Sequence, residues 1–209
     1  MSQNALNSIT AELNGKEEIL MKKKIVALGK HYNVMDKDKN NICSVHLSWG
    51  QNLGGESISQ YGGKWIGRSM KYTYKIKDNQ DELALEVKKY AGSWKTSFEV
   101  VEPETGTIIG KILLKRSFLI GGIKARWTKS DSDDPVMTVK GNVMRRKYLI
   151  VGSDGKEIAK IRHKIVAVRD VWPIKLYDKK MGVQAIIFAA VLDFEKEMSS
   201  TFQTPLLAI

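Results

Sequence analysis

Lys160, Arg162 and Lys164 alternate with Ile161, His163 and Ile165, so on an extended strand the three cations share one face. Such a row can hold a phosphate or another anion. Lys111 and Lys115 take the equivalent positions of an earlier, similar segment, and Arg145, Arg146 and Lys147 open a neighbouring hairpin that joins them. The charge distribution points the same way. Residues 111–180 hold 18 Lys/Arg against 7 Asp/Glu, whereas the rest of the chain holds 16 against 16, so this third carries the whole net charge of +11. The bias favours lipid surfaces, nucleic acid or phosphorylated molecules as partners.

Other chemistry finds little support. His31, His46 and His163 stand singly in β-type runs, with no serine elbow or other nucleophile signature beside them, and they read as structural. No catalytic residue, metal ligand or cofactor is assigned. Cys43, between Ile42 and Ser44, reads as a buried, inert thiol. Asp36, Asp38 and Asn40 begin like a calcium loop, but Asn41 replaces the required glycine and Leu47 the closing glutamate. Asp131, Asp133 and Asp134 before Pro135 read as a solvated turn. The glycines between Gly50 and Gly67 surround Lys64, yet Ile58 and Trp65 break phosphate-loop spacing; the segment reads as a loop over one barrel mouth or a tolerated insertion.

The elements that must carry these residues are mostly short strands. After an N-terminal stretch, Ser2 to Met21, that reads as an exposed amphipathic helical appendage, β-type runs follow in close succession. They are Ile25–Leu28, His31–Met35, Ile42–Leu47, Tyr72–Ile76, Leu83–Val87, Phe98–Val101 and Ile108–Leu114. Ile123–Trp127, Val136–Val139, Tyr148–Val151, Ile158–Ile161, Ile165–Val168 and Ile174–Tyr177 complete the series. About a dozen such strands favour closure into a barrel. A weak repeat at an offset of 49 residues, Gly106-Thr-Ile-Ile-Gly-Lys-Ile112 against Gly155-Lys-Glu-Ile-Ala-Lys-Ile161, reads as one hairpin used twice. Late in the chain, residues 182–197 form a helix that is apolar on every face from Ala185 to Leu192 and must therefore be enclosed. Its apolar run, Val183 to Leu192, spans about 15 Å at 1.5 Å per residue, too short to cross a bilayer.

Strands followed by one wholly apolar helix resemble the tubby C-terminal-like superfamily, in its LURF-one-related branch. Lys24-Ile-Val-Ala-Leu-Gly-Lys-His-Tyr-Asn-Val-Met-Asp36 is similar to the opening strands of that branch. Trp172-Pro173 with Val183–Phe194 is similar to the end shared with phospholipid scramblases. The resemblance, over residues 22–198, implies a closed β-barrel of about twelve strands around a buried C-terminal helix, with residues 199–209 as a tail. It also implies a phosphoinositide-like ligand on barrel-surface cations. Scramblases place carboxylates associated with calcium activation where this chain has Lys175 and Tyr177, which argues against calcium-triggered scrambling.

The reading is therefore a non-enzymatic barrel binding a phospholipid head group or other phosphorylated molecule, with peripheral membrane contact. One cysteine excludes internal disulfides, and with no export signal in view a cytoplasmic setting is expected. Nucleic-acid binding is the rival reading, weakened because aromatic residues do not interleave with the cations. An enzyme of the barrel mouth is the third.

Overall fold

Alternation of apolar and polar residues in run after run sends every second side chain to one side, and a sheet long enough to meet itself can enclose that side. The computed structural model describes residues 2–24, 31–49, 71–90, 96–116, 123–142, 146–166 and 169–200. The expected strand Ile25–Leu28, the whole glycine-rich segment 50–67, Arg145 and residues 201–209 lie outside these. Helix α1 (Ser2–Leu13) leads into strands β1 (Glu18–Lys24), β2 (His31–Met35), β3 (Asn41–Trp49), β4 (Tyr72–Asp78) and β5 (Leu83–Lys89). Then come β6 (Thr96–Val101), β7 (Ile108–Arg116), β8 (Ile123–Thr128), β9 (Pro135–Gly141) and β10 (Lys147–Gly152). β11 (Glu157–Arg162), β12 (Lys164–Val166), β13 (Arg169–Leu176) and helix α2 (Gly182–Ser200) close the series.

Each strand pairs antiparallel with its neighbour, and β13 returns to pair with β1, from Glu18 opposite Lys175 to Lys22 opposite Val171. The sheet is thus a closed barrel. β11 and β12 share one register against β13, with Ile161 opposite Ile174 and Lys164 opposite Val171, so they form a single stave interrupted at His163. The barrel therefore has twelve staves. The interruption lies beside Pro173, which brings no N–H to the ladder, and the His163 N–H bonds instead to the Arg146 carbonyl at 2.8 Å.

Helix α2 fills the barrel. Ala185 through Asp193 are all buried, and side chains from separate staves touch the helix. The Trp127 ring on β8 meets Phe188 edge to face at 5.9 Å, Tyr74 on β4 donates to the Ala190 carbonyl at 3.3 Å, and Tyr32 on β2 donates to the Asp193 carboxylate. Burying each large apolar side chain here contributes about 1.5–3 kcal/mol. No helix among the described residues is long and apolar enough to cross a membrane.

The amino-terminal expectation is corrected. Residues 2–21 are no appendage: Ala5, Ile9 and Leu13 are buried in the same core, and α1 packs against β3, β4, β5 and α2. Residues 18–21 belong to β1, the stave that closes the barrel. The helical periodicity of Leu6, Ile9 and Leu13 is real, but Gly15, at φ +86°, ends the helix, and the alternation from Glu18 onward is that of a strand.

Candidate functional site

Lys160, Arg162 and Lys164 do project from one face, and with Lys175 and Glu18 they line a depression of about 280 Å³. Tyr177 and Pro173 complete its wall. The neighbouring staves fix this grouping: Lys160 stands opposite Lys175 on β13, which stands opposite Glu18 on β1. Four cations thus surround one carboxylate. Glu18 also reaches Lys37, at 4.0 Å, and the Lys175 ammonium lies 5.5 Å from the centre of the Tyr177 ring.

Beyond the depression the register extends the row across six staves. Lys115 on β7 stands opposite Lys124 on β8, Lys124 opposite Lys140 on β9, Lys140 opposite Leu149 on β10, and Leu149 opposite Lys160. Through Lys175 the row spans about 24 Å at about 4.8 Å per strand. None of these five lysines forms an ion pair with a carboxylate among the described residues. Like charges directly opposite one another on a sheet are destabilising, so this ladder costs the fold stability unless an anion screens it.

The far side of the barrel is built differently. There Lys75 stands opposite Glu86 and Lys88 opposite Glu99, and Lys88 also reaches Glu86 at 2.8 Å.

The expected site residues divide accordingly. Lys160, Arg162 and Lys164 are brought together, and Lys147, exposed, stands opposite Arg162. Lys115 joins the ladder at its far end. Lys111 does not, because it stands opposite Glu99 and marks the margin where charge pairing resumes. Arg146 is exposed just before β10, its backbone N–H donating to the Asn142 Oδ1 at 2.9 Å, and Arg145 lies outside the described residues. Lys124, Lys140, Lys175, Glu18 and Tyr177 were not among the expected site residues. Alternation with buried neighbours shows that Lys124 and Lys140 face outward, but only the register shows that they face each other.

The other polar groups do not line the depression. His31 and His46 are not solitary: they stand directly opposite on β2 and β3 with their Nδ1 atoms 2.6 Å apart. His163 is buried against Trp172 with its Nε2 2.7 Å from Asp170. Cys43 is fully buried, and its thiol is pushed up to about 12 by that burial and by the nearby Asp78. Asp36, the first residue of the apparent calcium loop, accepts the N–H groups of Asp38 and Asn40, each at 2.9 Å, and the Lys16 ammonium at 2.7 Å.

No family model, curated protein or solved structure matches this chain.

Proposed function

We propose that this barrel is a non-enzymatic binding module for an anionic ligand, a phospholipid head group or another phosphorylated molecule. The observation that carries the reading is the grouping of Lys160, Arg162, Lys164 and Lys175 around one depression, at one end of a lysine ladder lacking described ion-pair partners. A phosphate accepting from several of these donors relieves the repulsion among them, and charge-assisted bonds to phosphate are the strong ones. Arg162 supplies a planar fork; the lysines supply point charges. Glu18 adds an acceptor that a bare anion does not use, whereas the hydroxyl of a polyol phosphate does. Near an anionic leaflet each basic residue contributes about 1 kcal/mol, so the ladder and depression together suffice for reversible peripheral attachment.

The test is vesicle flotation at low salt, with vesicles rich in phosphatidic acid and with purely zwitterionic ones, beside a mobility shift on duplex DNA. Wild-type protein is expected to float with the anionic vesicles only. Reversing Lys160, Arg162 and Lys164 to Glu should lower that binding about a hundredfold or more, since three contributions of about 1 kcal/mol vanish and repulsion replaces them. Reversing Lys75 and Lys77, on the charge-paired side, should change it little. A protein that binds neither vesicles nor DNA at low salt makes the patch a solubilising surface and ends this proposal; binding to DNA alone selects the nucleic-acid reading.

A further inference from the structure

Tyr177 separates two cavities. On one side is the basic depression; on the other is a groove of about 660 Å³, where β9, the turn between β10 and β11, and the short 3-10 helix Lys179–Met181 meet. The Tyr177 side chain lines both, and the residue is 43% exposed. The two cavities differ in chemistry. The groove has an aliphatic wall formed by Val136, Met137, Ile158 and Met181. Its rim carries Asp154, Glu157 and Asp178 against Lys156, Lys179 and Lys180, three charges of each sign, with Lys156 and Asp154 paired at 3.2 Å. A balanced rim offers no second anion site, so what the groove can contribute is removal of apolar surface from water. Its volume falls within the range of ordinary small-ligand pockets.

We infer that depression and groove form one bipartite site for a single-chain amphiphile bearing a phosphate. The head lies among Lys160, Arg162, Lys164 and Lys175, and the chain crosses the Tyr177 ring into the groove. Tyrosine suits that boundary because its ring is apolar and its tip polar. Methionines suit a flexible chain because the unbranched thioether adapts its shape. The inference rests on the anion-binding reading above for its head subsite and adds the tail subsite and the ligand class.

Titration calorimetry with three soluble probes tests it: inorganic phosphate, octyl phosphate below its micelle concentration, and octyl glucoside, which has the chain without the charge. Each methylene buried multiplies affinity by about fourfold, so octyl phosphate should bind at least tenfold more tightly than inorganic phosphate, and octyl glucoside far more weakly than octyl phosphate. Met181→Ser and Val136→Asp, both in the groove alone and each checked for folding by circular dichroism, should erase the gain from the chain while leaving inorganic phosphate binding unchanged. Two separate groove variants keep the test valid where one fails to fold. Equal affinity for the two phosphates overturns the bipartite site but leaves the anion-binding reading standing. Octyl glucoside binding as tightly as octyl phosphate also overturns it, since the groove then acts without the head. Failure of both phosphates to bind overturns both proposals.

Discussion

The carboxylate of Asp36 ties two parts of the chain together: it accepts two backbone N–H groups of its own hairpin and the Lys16 ammonium that follows α1. The Lys16 and Asn40 bonds hold its pKa at about 2, below the ordinary 3.8. A carboxylate depressed in the fold stabilises it above the unfolded value, and the contribution is lost as pH falls from about 4 through about 2. Replacing Asp36 with Asn should therefore flatten the acid limb of a denaturant-midpoint profile over that interval, leaving its slope between pH 6 and 8 unchanged. An unaltered acid limb contradicts this. The lysine ladder makes the opposite kind of prediction. Lys140→Glu places an acid opposite Lys124, and each favourable cross-strand pair contributes about 0.2–1 kcal/mol, so the variant should be more stable at low salt while binding anionic vesicles less. A destabilised variant contradicts the repulsive account. At this scale the sequence discloses which cations face outward, since a period of two suffices for that. It does not disclose register, and Lys124, Lys140 and Lys175 enter the site only through register.

Among the elements, the hairpins were the most legible. Gly106 and Gly155 do occupy equivalent left-handed turn positions, at φ +69° and +81°, and each hairpin shifts register next to its turn, between Val100 and Val101 and between Ile150 and Val151. The small residue two places before Ile112 also has a reason. A Cβ on Gly110 would lie 2.6 Å from the Trp127 ring, and that ring packs on Phe188 of α2. Gly110 thus leaves the room that Trp127 takes up. The β4–β5 hairpin follows the same plan without the glycine, with Asp81 at φ +67°. The helix itself was legible because no face of it is polar. Ile187→Ala should cost about 2–5 kcal/mol in urea unfolding, and Ile187→Asp should abolish folding by leaving a carboxylate inside the barrel. A folded, stable Ile187→Asp protein would show that the helix can leave its enclosure. α1 was misjudged because spacing identifies an apolar face without identifying what covers it, and here the covering surface comes from strands far along the chain.

For the whole molecule, closure decides both shape and charge. A twelve-stave barrel has no free sheet edge, so its outer surface is divided only by what the strands display: paired charges over β4 to β6, and the lysine row, broken only at Leu149, from β7 to β13. Removing residues 2–21 tests closure directly. The deletion takes away most of the β1 contact with β13 and three buried side chains of α1, and should yield protein without a cooperative thermal transition, whereas an appendage could be cut away with the transition intact. The seam between β1 and β13 also constrains how the chain reaches this state. Its first strand pairs locally with β2 but finds its second partner only when residues beyond 170 exist, and the helix that fills the interior begins at Gly182, so during synthesis every earlier hairpin emerges with its apolar side facing an empty space. Pairings of such long sequence separation are slow to form, and the waiting hairpins are exposed to association with other chains. The nascent protein is thus a natural client for a chaperone until its last helix leaves the ribosome.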